Sequence, residues 1–126
     1  MRLLGIDYGS KRIGLALSDE AGRFAFPYEV VPATTRALDV VAAICSRERI
    51  DKIVMGKSLN YQNRPNAIMA EAEAFARSLA EKTSLPIDYE PEFMTSLEAG
   101  RTVGNDEMLD ARAAALILKS YIDRTS

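Results

Sequence analysis
No histidine occurs anywhere in the 126 residues. That absence removes the usual neutral-pH general base, every serine or cysteine nucleophile paired with histidine, and all histidine-ligated zinc sites. Any chemistry therefore rests on carboxylates, lysine, or a metal held by oxygen ligands. There is a single cysteine, Cys45, so no intrachain disulfide can form, and a lone thiol suits a reducing compartment. It reads as a small core residue of a helix. An excess of positive charge is also missing: 16 Lys and Arg against 18 Asp and Glu leave a net charge of −2. No global positive field exists to draw in a polyanion, and a nucleic acid would need a local basic patch. No apolar run approaches the roughly 18 residues of a membrane span, and the chain reaches Asp7 too soon for the apolar stretch of a signal peptide. The expectation is a cytoplasmic protein with no membrane partner.

No repeat, low-complexity tract or linker interrupts the chain, and its length and 48% hydrophobic content suit one domain over 1–126. Arg2 to Tyr8 and Arg12 to Asp19 read as two strands of a hairpin around Gly9-Ser10-Lys11. The second run alternates Ile13, Leu15 and Leu17 with Gly14, Ala16 and Ser18, giving one bulky face and one small face on which a helix can lie closely. A third strand falls within Pro27 to Pro32. Leu38, Val41 and Ile44 predict an amphipathic helix from Thr35 to Glu48, with threonines available to cap it. Further strands are expected at Ile50–Gly56 and Leu85–Glu90, and helices from Pro65 to about Lys82, from a Thr95/Glu98 capping box to Gly104, and from about Glu107 to Asp123. The order is β-β-β-α-β-α-β-α-α, a mixed sheet whose later strands alternate with helices.

Three acidic positions carry the chemistry. Asp7 ends the first strand, on the face of Leu3 and Gly5, where α/β proteins tend to place sites; its bland role is to cap the turn. Asp110 shares a helical stripe with Ala114, Ile117 and Tyr121, and a carboxylate facing that apolar interior is costly unless paired, protonated or bound to a metal. Its bland role is to complement the positive amino end of its helix. Glu90 and Glu92 flank Pro91 after the fifth strand and point the same way, so one of them suffices. Acidic residues at two strand ends and on one helix, with no histidine, suit an oxygen-lined Mg²⁺ or Mn²⁺ site. Gly56-Lys57-Ser58 imitates the end of a phosphate-binding loop but follows a strand and lacks the first glycine. Tyr61 and its basic neighbours are equally a nucleic-acid contact or a solvated loop.

Gly5-Ile6-Asp7-Tyr8-Gly9-Ser10-Lys11-Arg12-Ile13-Gly14 resembles the opening motif of the YqgF/RuvX family, described as Holliday-junction resolvases and pre-16S ribosomal RNA processing nucleases. Val54 to Asn60, Pro91 to Ala99 and Asp110 to Tyr121 are similar to three further blocks of that family, in order and over nearly the whole chain. The resemblance implies a ribonuclease H-like α/β fold, a mixed five-stranded sheet in the order 3-2-1-4-5 flanked by helices, with the site at the carboxyl ends of the central strands. It gives Asp7, Glu92 and Asp110 the catalytic and metal-binding positions and prefers Glu92 to Glu90. Asp7 would then bridge two Mg²⁺ or Mn²⁺ ions roughly 3.5 to 4 Å apart.

The implied activity is a metal-dependent nuclease on structured nucleic acid. Precursor 16S ribosomal RNA is the leading substrate and a branched DNA junction the alternative, for a monomer or homodimer. Phe93 replaces the family's arginine, and the basic segment before the last helix is reduced to Gly104–Glu107. Phosphate contacts then fall to Lys11, Arg12, Lys57 and Arg64, with Arg101 and Arg112 in reserve. Two rivals remain at this level. One is a phosphotransferase of the actin and sugar-kinase class, suggested by Asp7-Tyr8-Gly9-Ser10; the other is a non-catalytic module for ribosomal RNA or an assembly factor.

Overall fold
The computed structural model describes residues 1–58, 68–92 and 108–125. Its elements are β1 (Leu3–Tyr8), β2 (Arg12–Ser18), β3 (Ala25–Pro32), α1 (Ala37–Arg47), β4 (Lys52–Ser58), α2 (Ile68–Thr83), β5 (Ile87–Glu92) and α3 (Leu109–Thr125). The sheet runs β3-β2-β1-β4-β5, with β2 antiparallel to β1 and β3, and β4 parallel to β1 and β5. This is the order implied by the family resemblance. The Thr95/Glu98 capping box, Gly104, Tyr61 and Pro65 lie outside the described residues.

Strand alternation divides the sheet into two unlike faces. Leu4, Ile6, Ile13, Leu15, Ile53 and Met55 pack with Val41 and Ile44 of α1 and Leu79 of α2, forming the main core. Leu3, Ala16 and Val54 pack on the other face with Ala114, Ile117, Leu118 and Tyr121 of α3. The small face of β2 therefore receives a helix, as its sequence predicts. Ser18, also on that face, is 1% exposed, and its hydroxyl accepts from the Leu3 N–H at 2.7 Å and donates to the Asp19 carbonyl at 2.8 Å. Both of its hydrogen-bonding roles are satisfied, which makes its burial tolerable. Cys45 is a core residue of α1, and burial pushes its thiol up to about 11.

Several element boundaries differ from the expected ones, each for a local reason. β3 begins at Ala25, so Pro27 lies inside it. An edge strand tolerates a proline, and here the register skips from Leu15–Glu29 to Ala16–Pro27, leaving Tyr28 without a partner in β2. Thr34 does not cap α1. Arg36 is already helical, and Thr34 instead makes the preceding turn, its carbonyl accepting from Ala37 N at 3.0 Å.

β4 and β5 each start two residues later than expected, because Ile50 and Leu85 belong to helix ends. Arg49 takes the left-handed conformation (φ 54°), its N–H donates to Ser46 O, and the Ile50 N–H donates to Cys45 O. That is a Schellman closure in which Ile50 is the apolar residue folded back on the helix. Ser84 (φ 60°) ends α2 with the simpler left-handed closure, its N–H donating to Ala80 O while the Leu85 N–H donates to Thr83 Oγ1. α3 likewise begins and ends two residues later than expected. No helix among the described residues is long and apolar enough to cross a membrane.

Candidate active site
Asp7 stands one residue from the carboxyl end of β1, on the face that carries Leu3 and Gly5, and its cross-strand partner is Gly14 of β2. A Cβ placed on Gly14 would lie 1.9 Å from the carbonyl oxygen of Asp110, so the first turn of α3 rests directly on the β2 backbone. Glycine is required at that point. Farther along α3 the approach stays close: a Cβ on Gly5 would lie 2.9 Å from Leu118 Cβ. The backbones of Asp7 and Asp110, 103 positions apart in sequence, are thereby both brought alongside Gly14 on the α3 face.

Asp110 lies in the first turn of α3, where a carboxylate complements the helix dipole. Its side chain is 25% exposed, and Oδ2 accepts from Arg12 Nε at 2.8 Å. Arg12 opens β2, two residues before Gly14 and hence on the same face, and its side chain is 64% exposed. Sequence reasoning gave Arg12 to a phosphate and missed this pairing across 98 residues, for which no local pattern exists.

The remaining expected site residues are placed as follows. Glu92 closes β5 opposite Ser58 at the end of β4, and its carboxylate lies outside what the structure describes. Glu90 is nearly buried and committed elsewhere: Ser120 Oγ donates to Oε2, and Arg124 donates to Oε1 through Nε, each at 2.8 Å. Lys11 is exposed in the β1–β2 turn, its carbonyl accepting from Ala33 N. Lys57 is half-buried within β4 rather than on a loop, and alternation puts it on the face of α1 and α2, opposite to Asp110. Arg64 lies outside the described residues.

A second polar cluster was not foreseen. Lys52 Nζ lies 2.8 Å from Asp88 Oδ2, which also accepts from the Tyr121 hydroxyl. The Lys52 ammonium, and then the Tyr121 hydroxyl, hold the Asp88 carboxyl below its ordinary value, while Asp88 raises Lys52. The Lys52 ammonium and the Arg124 guanidinium lie 5.6 and 5.5 Å from the centroid of the Tyr121 ring. These groups fasten the carboxyl half of α3 to β4 and β5. A cavity of about 640 Å³ between the carboxyl ends of α1 and α2, lined by Arg49, Lys82 and Thr83, is at the other end of the strands from Asp7.

Among the described residues no three Cys, Asp or Glu side chains gather into a ligand set. The described donors are the oxygens of Asp7 and Asp110. One or two carboxylates, with waters and substrate phosphate, are what Mg²⁺ characteristically takes, so the donor set fits a hard divalent ion. The cation already held by Asp110 shows that the position favours positive charge.

A family model described as RuvX, Holliday junction resolvase, matches residues 1–124. A Streptococcus suis protein provisionally named pre-16S rRNA nuclease is 31% identical, covering 99% of both chains. An Oenococcus oeni protein of the same provisional name is 33% identical over 98% of this chain and 95% of its own. Among solved structures, the RuvC of Thermus thermophilus in complex with a Holliday junction substrate has a TM-score of 0.65 at 18% identity, covering 99% of this chain and 97% of that one.

Proposed function
Because the chain belongs to the RuvX family, we propose that it is a metal-dependent phosphodiester hydrolase that processes precursor 16S ribosomal RNA. The observation that supports the reading is the approach of both Asp7 and Asp110 to Gly14, on the α3 face near the carboxyl end of β1. In this reading residues 1–126 form one nuclease domain acting in the cytoplasm. Asp7 and Asp110, joined by Glu92, hold the Mg²⁺ or Mn²⁺. The bound metal supplies activation of the attacking water and stabilisation of the leaving oxygen, which removes the need for histidine.

The chain's own groups do the positioning. Gly14 lets α3 come down far enough for Asp110 to stand beside Asp7. Lys11 and Arg12 offer cations to the substrate backbone from the β1–β2 side, with Arg64 as a further contact and Lys57 reaching the same end of the sheet from the opposite face. The RuvX family model over residues 1–124 favours the nuclease over a phosphotransferase of the actin and sugar-kinase class.

The decisive measurement is cleavage of a labelled precursor 16S RNA, and in parallel of a four-way DNA junction, with Mn²⁺ present or chelated. We expect RNA cleavage that stops on chelation. Asp7→Asn should lower it by about a hundred-fold or more, the equivalent of several kcal/mol of lost charge stabilisation, while leaving thermal stability intact. Cleavage of the junction alone would make the branched DNA the substrate. An Asp7→Asn protein as active as the unaltered one would put the chemistry elsewhere.

A further inference from the structure
The carboxylate of Asp110 is held by a cation of its own chain, and the pair has an asymmetry that an ordinary surface ion pair lacks. Asp110 is fixed: its backbone rests on Gly14, and its side chain is three-quarters covered. Arg12 is fixed only at its backbone, which continues the strand that carries Gly14, while its side chain is mostly in solvent. The carboxylate stays in place and the guanidinium is free to leave. Arg12 Nε holds Oδ2 at 2.8 Å, and a divalent ion ligated by either oxygen of Asp110 would stand close to that guanidinium and be repelled by it. Arg12 and a metal therefore compete for Asp110.

We propose that Arg12 is a resident counter-cation of Asp110, displaced when a divalent ion binds and thereby released to contact the substrate phosphate. The inference rests on the reading of Asp7 and Asp110 as the metal site. It makes Arg12 a positioning residue with two stations. In the metal-free protein it neutralises the Asp110 carboxylate, and in the loaded protein it holds the nucleic-acid backbone. By linkage, metal then strengthens nucleic-acid binding, and nucleic acid strengthens metal binding by the same factor. Metal loading and substrate capture become one coupled event.

Calorimetric titration with Mn²⁺ alone tests the first half, on the full chain and on its Arg12→Gln and Lys11→Gln variants. Arg12→Gln should bind Mn²⁺ about 1.5- to 5-fold more tightly, the range set by the strength of such ion pairs. Lys11→Gln removes the same charge from the neighbouring position and should change Mn²⁺ affinity by much less. The second half is read from a fluorescent RNA duplex titrated in EDTA and in Ca²⁺: the unaltered protein should gain affinity with Ca²⁺, and Arg12→Gln should not. Equal Mn²⁺ affinity in the unaltered and Arg12→Gln proteins would overturn the competition and leave the nuclease reading standing. A gain in Lys11→Gln as large as in Arg12→Gln would overturn it too, since general charge would then explain both. If none of the three proteins binds Mn²⁺, the metal site itself is wrong and this inference falls with it.

Discussion
Gly14 determines where Asp110 stands. The atoms that a Cβ there would meet are the carbonyl oxygen and carbon of Asp110, at 1.9 and 2.2 Å, and backbone cannot rotate aside as a side chain can. Gly14→Ala must lift the first turn of α3 or distort β2. We expect it to lose about 1–3 kcal/mol in urea unfolding, the usual range for overpacking. Cleavage should fall by roughly a hundred-fold, as a displacement of about 1 Å at a reacting centre does. Gly5→Ala, which would meet Leu118 Cβ at 2.9 Å and the Ala114 carbonyl oxygen at 3.0 Å, a smaller overlap, should be milder in both assays. A Gly14→Ala protein with unaltered stability and activity would mean that α3 is not seated on β2 as described. At this scale the sequence was legible where one residue type has one consequence: the alternation of Gly14, Ala16 and Ser18 announces a surface for close helix packing. It was silent on Arg12, because a lysine-arginine pair after a glycine turn looks the same whether it faces a phosphate or a carboxylate.

α3 is the element that completes the candidate site, and it is secured at both ends. Gly14 receives its amino end, and Glu90, Ser120 and Arg124 secure its carboxyl end around a carboxylate that is 4% exposed. Removing Arg124 leaves Glu90 buried with Ser120 as its described partner. Arg124→Ala should therefore destabilise by about 1–3 kcal/mol and speed amide exchange in the last turns of α3. Lys119→Ala breaks only the exposed Lys119–Asp123 pair and should stay within about 0.5 kcal/mol of the unaltered protein. Equal losses in the two variants would show the Glu90 cluster to be idle. Helix and strand identities were readable from periodicity, but the ends of α1 and α2 were not. A glycine normally marks such a closure, and here Arg49 and Ser84 adopt the left-handed turn themselves, so Ile50 and Leu85 looked like the first residues of strands.

Over the whole molecule the charge balance governs how a nucleic acid is held. The net charge is −2, Arg12 is committed to Asp110 in this structure, and Lys57 lies on the opposite face. Among the described residues few cations near Asp7 are left to release counterions from a phosphate backbone. Binding of an RNA duplex should be weak, with a slope of log affinity against log salt of roughly −2 to −3. A slope steeper than about −5 would reveal a basic surface that the described residues do not contain. The sequence by itself narrowed the class of chemistry, since a chain without histidine leaves carboxylates, lysine, or a metal held by oxygen ligands. It also determined the two faces of the sheet, because burial is written into a period of two along each strand. Only the tertiary structure decided which partners the described acidic groups meet. Glu90 and Glu92 are near neighbours of one type in sequence, yet Ser120 and Arg124 claim the first for anchoring α3. Asp110 meets Arg12 across 98 residues. Local pattern records how much water each residue avoids, whereas a pairing between distant charges exists only once the sheet order and the seat of α3 are fixed.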